Sequence, residues 1–175
     1  MEVGVTHAAS VSSLVGVDEV PEVVRSLITL AEPDYADLVT LQTPRAGERS
    51  AEGWARAVLE EAPVSRRNAR RLWRLMGLRL GPSQSHDYIQ GWKITQRGDN
   101  WIRAETSSWY ASCQAVCLVE AGQVSVSLSL RYDRPLVARS VWALIAGLHQ
   151  RGLPVMLRQA AKLVEADSEP HLDAS

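Results

Sequence analysis

Between residues 101 and 133 the chain alternates apolar or small positions with polar or bulky ones at a period of two, and this alternation organises the rest of the reading. Residues 101–109 set Ile102, Ala104, Thr106 and Ser108 against Trp101, Arg103, Glu105 and Trp109. Residues 110–120 set Ala111, Cys113, Ala115 and Cys117 against Tyr110, Ser112, Gln114 and Glu120. Residues 123–133 set Val124, Val126, Leu128, Leu130 and Tyr132 against Ser125, Ser127, Ser129 and Arg131. With residues 88–97 before them, these segments predict four antiparallel strands with one dry face and one wet face. Gly98-Asp99-Asn100 and Ala121-Gly122 supply turn residues between them. The join at Trp109–Tyr110 has neither Gly nor Pro, so a tight bend is expected there or a few residues on.

Upstream, residues 1–17 are low in charge and lack a period, which predicts a flexible or loosely packed leader. Val20, Val23, Val24, Leu27 and Ile28 recur at helical spacing, with Asp18 as a cap and Pro21 in the first turn, predicting a short helix over 18–30. Pro33 ends it, and 36–43 reads as the first strand. Ser50 caps a helix to about residue 62, and Pro63 separates it from a second over 65–76 that carries Arg66, Arg67, Arg70, Arg71 and Arg74, read as a solvated face. After the strands, Val137, Val141, Leu144, Ile145, Leu148, Val155, Met156 and Leu163 are read as the apolar stripe of a long helix over 136–164. Pro154 inside it predicts a bend near 152–154 or two abutting helices. The tail 167–175 reads as disordered. The fold class is α+β, with one domain over 18–166.

The dry face is unusually small: Ala104, Thr106, Ser108, Ala111, Cys113, Ala115 and Cys117. A sheet of small inward residues opposite one long apolar helix encloses space, so the chain reads as a container for a small apolar molecule. At 175 residues, 46% hydrophobic and 22% charged, it suits one sizeable core. A formal charge of −1 without a basic stripe argues against a nucleic-acid partner. No apolar run approaches the ~20 residues of a membrane helix, and the N-terminus lacks a basic n-region, so no membrane insertion and a cytoplasmic location are expected. Cys113 and Cys117, on one strand face roughly 13 Å apart at ~3.3 Å per residue, are too distant for a disulfide and read as buried small hydrophobes. No zinc spacing, P-loop or dinucleotide fingerprint occurs, so no metal and no cofactor are expected.

PDYADLVTLQTP (33–44), SAEGWARAVLEEAP (50–63), MGLRLGP (76–82), GWKI (91–94), RYDRP (131–135) and HQRGLPVMLR (149–158), in this order, resemble an uncharacterised, largely actinobacterial branch of the START-like superfamily. That superfamily includes polyketide cyclases, pollen-allergen-like proteins and lipid-transfer domains. The resemblance spans roughly residues 20–163. It implies the helix-grip fold: a curved antiparallel sheet wrapped around a long kinked C-terminal helix, with two short helices after the first strand. It implies a cavity but no agreed reaction or catalytic residues. Where the branch has an apolar segment after its Ser-Trp pair, this chain has Tyr-Ala-Ser-Cys-Gln after Trp109, which implies a modified lining.

His149 sits beside the helix stripe next to the expected bend, where an imidazole would serve as general acid or base, or as a structural histidine. Tyr132 would present a hydroxyl to the same space. The remaining candidate ligand contacts are Tyr88, Trp92, Ala104, Thr106, Ser108, Cys113, Cys117, Leu128, Leu130, Trp142 and Ile145. Arg131 and Arg134 flank Asp133 at a corner and either meet an anionic head group or pair with that carboxylate. Three functions stay open. One is a binder of a polyketide- or lipid-like molecule. The second is a cofactor-independent cyclase, dehydratase or cycloaddition catalyst on a polyketide-like substrate. The third is a partner-binding domain with a filled core. Trp101, Trp109 and Tyr110, if exposed together, would pair two copies as a homodimer.

Overall fold

The computed structural model describes residues 10–168. Its described residues form an eight-stranded antiparallel sheet in the order β1-β2-β8-β7-β6-β5-β4-β3. The strands are β1 (Ser10–Val15), β2 (Tyr35–Gln42), β3 (Gln84–Ser85), β4 (Tyr88–Ile89), β5 (Trp92–Arg97), β6 (Trp101–Ser107), β7 (Ser112–Glu120) and β8 (Gln123–Arg131). Four helices join them: α1 (Glu22–Arg25), α2 (Ala51–Arg56), α3 (Pro63–Leu75) and α4 (Pro135–Ser168).

The alternation of residues 101–131 sets the register. Ile102 pairs with Cys117, Ala104 with Ala115 and Thr106 with Cys113. Cys117 pairs in turn with Val126, Ala115 with Leu128 and Cys113 with Leu130. One face therefore carries the small residues in rows, and β2 adds Tyr35, Asp37, Val39 and Leu41 to it by pairing with Leu130, Leu128, Val126 and Val124. Helices α2, α3 and α4 cover this inner face. Ser50 caps α2 by accepting the Gly53 N–H at 3.1 Å. The chain then runs through one wide turn (Ala57–Glu61) into α3, where Pro63 takes the first helical position and needs no N–H.

Five expectations change. The segment expected as a loose leader includes an edge strand, Ser10–Val15, in register with β2; residues 1–9 and the tail from residue 169 lie outside the described residues. The helix expected over 18–30 shrinks to the single turn of α1, because the rest of that segment lies across the outer face of the sheet. There Val20 and Val24 pack on Ala36, Leu38 and Leu118, and the Thr29 N–H donates to Gln114 Oε1 at 2.8 Å. The sheet is thus not dry on one face and wet on the other: Ser125, Ser127 and Ser129 of the outer face are buried as well. The strand expected over 88–97 is broken by a tight hairpin at Gln90–Gly91, both with positive φ (51° and 95°). A side chain on Gly91 would strike Arg70 and Leu80. Finally, α4 is one continuous helix through Pro154 rather than two abutting ones.

The join without Gly or Pro resolves at Ser108. Its hydroxyl oxygen accepts the N–H groups of Tyr110 (3.3 Å) and Ala111 (3.0 Å), so a side chain does the work of a turn residue.

Candidate functional site

A cavity of about 340 Å³ lies between the inner face, α3 and α4. The small residues of the sheet create it. Cys113 and Ala115 on β7 line it with short side chains, while Leu128 and Leu130 on β8 form its apolar floor. Trp73 and Met76 close the α3 side, and Trp142, Ile145 and His149 close the α4 side. The Tyr110 hydroxyl donates to the Met76 carbonyl at 2.6 Å and so ties the β6–β7 turn to the end of α3 at one end of the cavity. No Lys, Arg, Asp or Glu lines the wall among the described residues.

Of the residues singled out above, Trp92, Cys113, Leu128, Leu130, Tyr132, Trp142, Ile145 and His149 stand together on this wall. The others do not. Ala104 and Cys117 border a separate void of about 20 Å³ beside α2. In one unbroken strand Tyr88 and Trp92, four residues apart, would share a face. The Gln90–Gly91 hairpin reverses the chain between them, so Tyr88 pairs with Lys93 and faces an open polar groove that Thr106 also borders. The Thr106 hydroxyl is spent on the Arg79 carbonyl at 3.1 Å, and Ser108 belongs to its turn.

The expected pairing face of Trp101, Trp109 and Tyr110 is also dispersed. Tyr110 is buried on the cavity wall, Trp101 packs with the outer-face cluster, and only Trp109 of the three is exposed, with the Arg134 guanidinium over its ring. Arg131 pairs with Asp133 at 2.9 Å, the structural alternative at that corner. Arg70 donates to the Gln90 and Gly81 carbonyls and is no part of a solvated face; the Arg66 and Arg67 side chains lie outside what the structure describes.

The residue missed in the sequence is Asp37. It is only 2% exposed, yet it occupies an inward position of β2 between Tyr35 and Val39. A buried carboxylate must be compensated by hydrogen-bond partners, and three groups converge on it. The Tyr35 hydroxyl donates at 2.7 Å and the Leu128 N–H at 3.2 Å, and His149 Nε2 lies at hydrogen-bond distance, 2.8 Å. The Gln150 amide donates in turn to the Tyr35 hydroxyl at 3.4 Å, and the Trp142 ring lies 4.6 Å from Tyr35 and 5.4 Å from His149 between ring centres. The signal was present in the sequence: Asp37 shares the parity of Tyr35, Val39 and Leu41, the one carboxylate on that face of the strand.

Burial raises the Tyr35 phenol, helped by its bond to Asp37, so it stays protonated as a donor. Burial also raises Tyr132, with the Asp34 charge adding and Arg139 opposing. Burial pushes both thiols up to about 12, so Cys113 and Cys117 are neutral, inert wall residues.

Among the described residues no group of His, Cys, Asp and Glu could hold a metal ion, and no helix is long and apolar enough to cross a membrane. No family model, curated protein or solved structure matches the chain.

Proposed function

We propose that the protein holds a small, neutral, largely apolar molecule in the cavity between the sheet and helices α3 and α4. The observation that carries this reading is the wall: about 340 Å³ lined by aliphatic, aromatic and thiol groups without a fixed charge. Such a volume lies in the ~300–1,000 Å³ range of small-molecule sites. Burial of apolar ligand surface there is favourable by roughly 25 cal/mol per Å². An antiparallel sheet with a long C-terminal helix against it agrees with the helix-grip resemblance, and a polyketide- or lipid-like occupant is what that likeness implies.

His149 favours a second reading, a cofactor-independent catalyst on the same kind of molecule. A wall imidazole backed by a buried carboxylate has the arrangement of a general base, and Tyr132 supplies a hydroxyl on the same wall.

The test is titration with N-phenyl-1-naphthylamine, a neutral apolar dye. The reading expects saturable one-to-one binding with enhanced emission, weakened at least tenfold when Cys113→Leu narrows the space. An absence of saturable binding overturns it. Native mass spectrometry of the purified protein, followed by extraction, identifies any resident molecule. Conversion of that molecule by the wild type but not by His149→Ala selects the catalyst.

A further inference from the structure

The Asp37–His149 contact joins residues 112 apart in sequence at 2.8 Å, and its acceptor is almost fully buried. Asp37 already receives the Tyr35 hydroxyl and the Leu128 N–H, so it acts as an acceptor toward both. An ionised carboxylate only accepts. Nε2 of His149 therefore carries the ring proton, and in the neutral imidazole the lone pair lies on Nδ1. No hydrogen bond to Nδ1 occurs among the described residues, yet the ring lines the cavity. Two hydroxyls of the wall are committed elsewhere, Tyr110 to the Met76 carbonyl and Ser65 to the Val58 and Ala62 carbonyls; the Trp92 indole N–H is buried without a partner among the described residues, but it only donates and so leaves Nδ1 as the acceptor that is not itself a hydroxyl.

We infer that His149 Nδ1 is the polar anchor of the cavity, that Asp37 is its positioning residue, and that the occupant is an apolar molecule bearing a hydroxyl, a phenol or enol above all, which donates to Nδ1. The inference rests on the container reading and deepens it. A carboxylate-bearing ligand is disfavoured, since it has no cation to meet and would face the lone pair of Nδ1. A hydrocarbon fills the space but leaves the imidazole nitrogen unused. A phenol or enol satisfies both the wall and the nitrogen, and Asp37 favours the donation by holding the tautomer in advance.

The experiment compares 2-naphthol with 2-methylnaphthalene, which has nearly the same shape without the donor. Calorimetric titration of the wild type and of His149→Phe closes a cycle. The expected result is that the naphthol-to-methylnaphthalene affinity ratio falls about tenfold in the variant, as for a hydrogen bond of ordinary strength. A second measurement needs no variant: ¹⁵N spectra of the wild-type imidazole at pH 8. Nε2 should resonate as a protonated nitrogen and Nδ1 as an unprotonated one, with the Nδ1 signal alone moving when 2-naphthol binds. In Asp37→Asn the tautomers should mix, a change that a merely structural role for Asp37 would not produce. If 2-methylnaphthalene binds and the ratio is unchanged by His149→Phe, the anchor is wrong and the container stands. A protonated Nδ1 in the free wild type overturns the tautomer and with it the hydroxyl assignment. If neither compound binds, the container and the anchor fail together.

Discussion

The two halves of helix α4 meet the same sheet and make different structures of it. From Leu153 onward the helix is packed: Leu153, Leu157, Ala160, Ala161 and Val164 are all buried. They press on Trp54, which is fully buried and donates its indole N–H to the Ala46 carbonyl at 2.8 Å. Before Leu153, only Ala138 is buried, and Leu136 and Leu144 are 85% and 84% exposed. The helix carries apolar residues along its whole length, so the helix is not what differs. The third element is. At one end α2 inserts an indole between sheet and helix, while at the other α3 stops short of small sheet residues and leaves a cavity. A core and a container are built here from one sheet and one helix.

Tryptophan truncation at the two ends should separate them most. Trp54→Ala removes a fully buried ring and should cost about 3–5 kcal/mol in urea unfolding. Trp142→Ala trims a half-buried ring beside space that is already empty and should cost less than half as much. Equal costs would mean that the open end is packed as tightly as the closed one.

The two thiols offer the converse test, with a smaller effect. Cys117→Leu adds bulk where only about 20 Å³ is free and should destabilise the protein by about 1–3 kcal/mol. Cys113→Leu grows into about 340 Å³, should leave the unfolding midpoint nearly unchanged, and should weaken dye binding at least tenfold. A Cys113→Leu protein as unstable as Cys117→Leu would argue against the open space.

Amide hydrogen exchange should show the same division along one helix. Amides of residues 139–149 should exchange at least about tenfold faster than those of 157–164, because few buried contacts hold the first half. A cavity ligand should slow the first group and leave the second unchanged.

The smallest effect lies in the acid response of the filled end. Burial alone would raise the Glu52 carboxyl, but hydrogen bonds from Arg97 and Arg56 outweigh it and hold the carboxyl below its ordinary value. Its contribution is therefore present above the unfolded pKa, about 4.3, and is lost as pH falls through the lower folded value. Glu52→Gln should lower the thermal midpoint at pH 7, and the gap to wild type should close by pH 3.

Much of the scaffold was legible because period-two alternation is a local property. The rows Ile102–Cys117–Val126 and Ala104–Ala115–Leu128 follow from it once the strands pair. The capping role of Ser50 is equally local, whereas α3, expected from residue 65, begins two residues earlier at Pro63. Counting fails where the chain changes direction within a few residues, as at Gln90–Gly91, which moved Tyr88 off the inner face while Trp92 stayed on it. It fails too for the outer serines, because what lies over a sheet face is not written in the strand itself.

The sequence by itself determined the strand faces, the α+β order and the run of small inward residues that makes a cavity available. Only the tertiary structure decided that the space at Cys113 and Ala115 stays open while the space at Cys117 is closed. Whether small residues leave a void depends on how far the facing side chains reach, and Trp54 comes from an element more than 60 residues earlier. It alone also brought Asp37 to His149. The reason is the same in both cases: a buried charge and an empty volume are each settled by whatever folds against them, and those partners are distant in the chain.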